Sequence, residues 1–310
     1  MGFLDRLGLG AGGAGGAGGA DERAQADIDR IEAGGIPLAA ERRIQELAAG
    51  RTAFTSQLSV ADFALSRLDG LRPVCQVMGS SVYKVGWQNY PWGSSGWWSD
   101  STATELRTLT EAWNDARARA LGRLAEEARL AGCHAVVDVT FDQRRHDFLA
   151  DELEIVVRGT AVHLPEGGEQ PVLTDLPLPD YALLRRAGYA PVGVVAATSV
   201  WYVVPSGQTR RLTTGWQRFQ PNQELRDFTQ GLYYAREMAI GRATSDARAL
   251  RAAGLVGVSI DQHVGHREVE RNDQKRIDLI VTFHVLGTAI VERGDHPPLD
   301  VRTIVRQGGR

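Results

Sequence analysis

One order of residues is written twice in this chain. Phe63-Ala64-Leu65 returns at Tyr181-Ala182-Leu183, Arg67 at Arg185, Gly70 at Gly188 and Pro73-Val74 at Pro191-Val192. Farther on, Glu105-Leu106-Arg107 returns as Glu224-Leu225-Arg226, Ala116-Arg117 as Ala235-Arg236, Gly122-Arg123 as Gly241-Arg242, and Asp142 as Asp261. After an insertion in the second copy, Gly159-Thr160-Ala161-Val162 becomes Gly287-Thr288-Ala289-Ile290. Matches that keep one order while their spacing drifts slowly mark a duplicated unit. The chain is then restricted to folds that one such unit can adopt and that two can join. A length of 310 residues accommodates two.

Charge and cysteine usage narrow the setting. A net charge of −3 leaves no electrostatic footprint for duplex nucleic acid or an anionic membrane. The two cysteines, Cys75 and Cys133, both fall in the first copy, so no disulfide framework is indicated and a reducing, cytoplasmic setting is expected. No apolar run reaches membrane-span length, and the N-terminus lacks the apolar core of a secretory signal. Arg6 stands where a myristoylation motif needs Ser or Thr.

Six segments follow along the chain. Residues 1–20 are a flexible N-terminal peptide, with Phe3, Leu4, Leu7 and Leu9 ahead of a Gly/Ala tract that loses too much backbone entropy to order. This peptide reads either as a frayed terminus or as a tethered docking tag for a protein partner. Residues 21–52 carry two short helices, 21–33 and 38–49, separated by Gly34-Gly35 and Pro37. The first repeat is 53–164 and the second is 181–292. Between them, the proline-rich stretch 165–180 is expected to be a stiff spacer. In the tail, 293–310, Leu299–Val305 has the pattern of one edge strand.

Each repeat has one plan. A short helix (59–68; 179–186) precedes an apolar β-rich run (Val74–Tyr83; Val192–Val203). A variable loop leads to a long helix, about 104–131 and 223–252. Its apolar stripe runs Leu106, Leu109, Trp113, Ala116, Ala120, Leu124 in one copy and Leu225, Phe228, Leu232, Ala235, Ala239, Ala243 in the other. Two strands close the unit, Ala135–Phe141 with Ile155–His163 and Leu255–Ile260 with Ile277–Val291, joined by polar links at 142–153 and 261–276. The class is α+β: a small, mostly antiparallel sheet packed with one long helix, twice over.

The residues in this order resemble a known family. Pro73-Val74, Met78-Gly79-Ser80-Ser81-Val82-Tyr83, Gly86-Trp87-Gln88, Glu105-Leu106, Ala116-Arg117, Ala135-Val136-Val137, Phe141-Asp142 and Gly159-Thr160-Ala161-Val162 resemble the YbjQ-type domain, which carries a heavy-metal-binding label. The second copy resembles it through Pro191-Val192, Ser199-Val200-Trp201, Gly215-Trp216-Gln217 and Gly287-Thr288-Ala289-Ile290. The resemblance implies closed, ring-forming assemblies, typically pentamers, and no established reaction. Departures include Cys133-His134 before Ala-Val-Val, Ala197-Thr198-Ser199 in place of Gly-Ser-Ser, and Gly257 at the position of Asp138.

The metal label points to Cys133, His134, Asp138, Asp142 and Cys75, with even spacing placing His134, Asp138 and Asp142 on one strand face. The second copy offers Asp261, His263 and His266, and the copies share only the Asp142/Asp261 position. The alternative is a packed cysteine pair with solvated histidines. No resident cofactor is expected; a divalent heavy metal enters only through this cluster.

Trp87, Tyr90, Trp92, Trp97 and Trp98 crowd a Gly/Ser loop. With only Lys84 nearby they point away from nucleic acid and toward a partner or small-ligand surface, or Trp87 and Trp216 are matched core residues. No Gly-x-Ser-x-Gly, phosphate loop, dinucleotide fingerprint or His-Glu-x-x-His occurs, so no enzyme is expected. Arg117 and Arg236 are expected to meet Asp142 and Asp261 across a subunit boundary, with Gly159 and Gly287 marking close backbone approach there. The resulting expectation is a homo-oligomeric, non-enzymatic scaffold of five chains. The alternatives are a metal-responsive protein and a Trp-loop adaptor.

Overall fold

The computed structural model describes residues 17–68, 70–90, 102–146, 152–164, 167–213, 222–271 and 274–294. An N-terminal hairpin comprises α1 (Ala17–Glu32) and α2 (Leu38–Ala48). The first half continues with α3 (Val60–Leu68), β1 (Arg72–Lys84), β2 (Thr102–Glu105), α4 (Arg107–Leu130), β3 (Ala135–His146) and β4 (Glu152–His163). β5 (Val172–Leu173) lies between the halves. The second half carries α5 (Leu178–Arg186), β6 (Tyr189–Val204), α6 (Gly207–Thr213), α7 (Arg226–Ala249), β7 (Gly254–Arg271) and β8 (Gln274–Glu292).

Two four-stranded sheets result, β1-β4-β3-β5 and β2-β6-β8-β7. Every pairing is antiparallel except β3 with β5. The halves share a register: Ser81 lies opposite Ile155 in one, and Ser199 opposite Phe283 in the other. β2 belongs to the first half in sequence but pairs with β6 of the second, Glu105 opposite Trp201.

The helix stripes explain the stacking. Ala116 and Ala120 of α4 are fully buried, and a Cβ added at Gly79 of β1 would lie 1.9 Å from the Ala120 carbonyl oxygen. Only a glycine lets the helix backbone seat that closely on the strand. Val77, Ile155 and Val157 fill the rest of that contact. The far side of α4 meets the second sheet, where Val200, Tyr202 and Val204 join the same core. Val195, Ala197 and Val203 face the other way, onto Ala235, Ala239 and Ala243 of α7. β6 is therefore apolar on both faces because both are covered. The layers run first sheet, α4, second sheet, α7.

Three expectations are corrected. The polar links 142–153 and 261–276 are mostly strand, because long hairpins satisfy their backbone while their side chains face water. The proline-rich stretch is stitched into the structure instead of spanning free. Its Thr174 amide donates to Val136, and the Val139 amide donates to Thr174. In the second half, α6 fills part of the segment read as a loop. Residues 1–16, Trp92, Trp97, Trp98, Trp216 and the tail strand at 299–305 lie outside the described residues. No helix among the described residues is long and apolar enough to cross a membrane.

Candidate functional site

The structure concentrates polar chemistry at the seam where α4 and β2 of the first half meet the edge and inner face of β6. The Leu106 amide donates to the Val200 carbonyl at 2.8 Å, and the Val200 amide donates to Thr110 Oγ1 at 3.0 Å. Asn114 closes a reciprocal pair: the Thr198 amide donates to its Oδ1 at 2.9 Å and its Nδ2 donates to the Thr198 carbonyl at 3.2 Å. Helix side chains thus satisfy a strand edge that would otherwise be buried unpaired. Outside them, Arg242 of α7 pairs with Glu105 of β2 at 2.6 Å.

Arg117 lies at the centre, 2 % exposed. Its guanidinium donates to Gln143 Oε1 on the first sheet at 2.8 Å, to Thr198 Oγ1 at 2.5 Å and to His284 Nδ1 at 3.2 Å on the second. No carboxylate pairs with it among the described residues. Burial lowers its pKa to about 10, so the group stays charged at neutral pH. Burial, with Arg117 adjacent, pushes His284 down to about 3. The neutral imidazole also packs edge-on to Trp113, with centroids 5.0 Å apart. A second polar knot lies nearby: Tyr202 donates to buried Asp278 at 2.6 Å, and Arg276 pairs with the same carboxylate at 2.6 Å.

The anticipated sites fall out differently. Arg117 meets Thr198 and His284 inside the chain, while Asp142 pairs with Arg144 at 3.1 Å. Arg236 and Asp261 are exposed. Gly159 and Gly287 do mark close approaches, but to their own sheets. Each lies opposite a β-bulge, where Asp138 (φ 55°) and Gly257 (φ 65°) take the matched left-handed position. A Cβ at Gly159 would stand 2.5 Å from Val136 Cγ1, and one at Gly287 would stand 3.1 Å from Val258 Cγ2.

That bulge also breaks the alternation that was to align His134, Asp138 and Asp142 on one face. Asp138 instead accepts from Gln57 Nε2 at 3.3 Å, and His134 packs edge-on to His163 with centroids 4.4 Å apart. Among the described residues, no three His, Cys, Asp or Glu side chains are grouped to hold a metal. Cys75 and Cys133 are free and buried, and burial raises their pKa values to about 11 and about 12. A ligating thiol must give up its proton, so burial works against this pair as a soft-metal site. In the aromatic loop, Trp87 is 84 % exposed, which overturns its reading as core. Tyr90 instead packs on Tyr202, with centroids 5.4 Å apart, under Arg267.

Sequence reasoning missed Thr110, Asn114, Thr198, His284 and Asp278. One signal was available: β6 is apolar on both faces where β1 alternates with Ser80 and Lys84.

Comparison with known proteins gives three findings. Residues 98–165 match a family model for YbjQ-type domains described as "Putative heavy-metal-binding". A protein of Mycobacterium tuberculosis named as an encapsulin nanocompartment protein is 35% identical over 231 residues, covering 72% of this chain and 81% of the relative. No solved structure matches the chain. At that identity and coverage, the chain belongs to the YbjQ-type domain family and shares it with the mycobacterial protein.

Proposed function

We propose that this protein is a scaffold that assembles with copies of itself through the two outer layers of its stack. The observation that carries the reading is that, among the described residues, apolar side chains stand exposed at both ends of the stack, beyond the part of the first sheet's outer face that Leu178, Tyr181 and Ala182 cover. Val82 on the outer face of the first sheet is 69 % exposed, and Tyr233 and Met238 on α7 are 57 % and 40 % exposed. Large apolar and aromatic side chains left on opposite ends of one molecule are the composition of interface cores. The relative's name as a nanocompartment protein agrees with an assembling role. The resemblance to ring-forming domains supplies the stoichiometry of five chains, and no reaction is assigned.

Native mass spectrometry with light scattering at micromolar concentration tests this directly, and reports any retained metal alongside. A closed oligomer is the expected result; a monomer overturns the reading. The exposure of Trp87 favours one second reading, a partner-binding loop. In that case, deleting 92–98 spares the oligomer and abolishes binding to the partner.

A further inference from the structure

We infer that one chain docks on the next by repeating its internal seam, with the second half's helix face seated on the outer face of β1 in a second copy. The inference rests on the self-assembly proposed above and specifies the contact.

Within the chain, the first half presents β2 and the start of α4 to β6. The second half has the matching helix, α7, but the residues matched to β2 are coil at 222–225, and the start of α7 is tied to its own half where the Ser206 amide donates to Asp227. The entry to both helices has one geometry: Leu106 sits at φ −83°, ψ 79°, and Leu225 at φ −84°, ψ 80°. On the receiving side, Val200 is fully buried beneath α4, while the matched Val82 is 69 % exposed. β1 is the edge strand of its sheet, as β6 is of the second half's own strands before β2 is added. The Val82 backbone faces that edge, because Gln76 and Met78, in phase with it, already spend their amides there on Thr55 and Glu127.

The residue types at the contact recur on both sides. The Leu106 amide reaches the Val200 carbonyl; Leu225 and Val82 are the matched pair. The Val200 amide reaches Thr110; Val82 and Thr229 are the matched pair. Arg117 reaches Thr198; Arg236 and Ser80 are the matched pair. Glu105 pairs with Arg242; Glu224 and Arg123 are the matched pair. Arg236 and Glu224 are exposed, and Arg123 donates only to the carbonyls of Ile31, Gly35 and Ser80, with no carboxylate partner among the described residues. Matched groups that pair inside the chain, with Arg236 and Glu224 exposed and Arg123 held only by carbonyls, are what a repeated interface leaves in a single copy.

The repetition is inexact at the centre. Tyr233 stands for Asn114, Leu232 for Trp113 and Val156 for His284. The contact between copies therefore replaces a polar centre with an apolar one. Every partnered surface is used once per chain, so the contact is head to tail, which closes into a ring or extends as a filament according to the rotation per step.

The test uses full-length protein and two substitutions at exposed positions, Val82→Arg on the receiving face and Tyr233→Arg on the docking face. Each variant alone is expected at monomer mass with an unchanged melting temperature. Mixed, they are expected to form a one-to-one complex, since the mixture retains one intact docking face and one intact receiving face. Either variant keeping the wild-type mass, or a mixture that stays monomeric, overturns the inference while leaving self-assembly standing. A monomeric wild type removes the proposed function itself.

Discussion

The Arg117 guanidinium donates to Nδ1 of His284, which fixes that nitrogen as an acceptor and places the imidazole proton on Nε2. Protonating Nδ1 would set two cations face to face in a buried seam. The folded state holds His284 near pKa 3, against 6.5 unperturbed. Between those values the unfolded chain binds the proton that the folded chain refuses, so stability falls as pH drops below about 6.5. By pH 4.5 the loss from this group is about 2–3 kcal/mol. Denaturant unfolding at pH 7 and pH 4.5 measures it. His284→Gln, which keeps an acceptor and cannot titrate, should show a pH dependence smaller by about that amount.

Arg117 itself bridges two sheets without a counter-ion among the described residues. Its removal strips a charged donor from Gln143, Thr198 and His284 together. Hydrogen bonds to charged groups are each worth about 1.5–3 kcal/mol, offset by the cost of burying the cation. Arg117→Ala should therefore destabilise by about 2–4 kcal/mol, and a double-mutant cycle with Thr198→Val should show coupling of about 1 kcal/mol or more. Additive effects of the two substitutions would place the stabilisation of the seam elsewhere.

Much of the fold was legible, and the limit has a physical cause. The spacing of Leu109, Trp113, Ala116, Ala120 and Leu124 predicts a buried helix, and that is what forms. The matched Gly159 and Gly287, read as positions at a subunit boundary, each meet a close approach within their own sheet instead. The seam was harder because it joins the helix of one half to the sheet of the other. Its partners Thr198 and His284 carry no repeated signature, since their matched positions hold Ser80 and Val156. The metal face failed for a local reason: a left-handed residue at Asp138 shifts the strand phase, which residue spacing alone does not reveal.

Gly132 and Arg251 hold the same left-handed position at the ends of the two long helices, at φ 68° and 56°. Glycine adopts it freely, whereas a residue with a Cβ is strained there by about 1–2 kcal/mol. Arg251→Gly should raise stability by about that strain less the added unfolded-state entropy, a net gain of a few tenths to 1 kcal/mol. Gly132→Ala should lower stability by about 1 kcal/mol. Thermal melts of the pair read both signs, and a destabilised Arg251→Gly would mean that the Arg251 side chain makes a contact worth more than the strain.

Gly79 gives the sharpest prediction about packing. A methyl group there would overlap the Ala120 carbonyl at 1.9 Å and stand 2.7 Å from the Leu124 amide nitrogen, and neither backbone atom can rotate away. The helix must lift off β1, which opens the core around Val77 and Ala116. Overpacking of this kind costs about 1–3 kcal/mol, and a clash with backbone falls at the upper end. Gly79→Ala should therefore cost about 3 kcal/mol, while the same change at exposed Gly122, which has open space around its Cβ position, should be neutral or stabilising by up to about 1 kcal/mol. Because α4 also carries the seam, lifting it should expose Trp113 as well. A red shift of tryptophan emission in Gly79→Ala and not in Gly122→Ala would show that one helix holds both sheets.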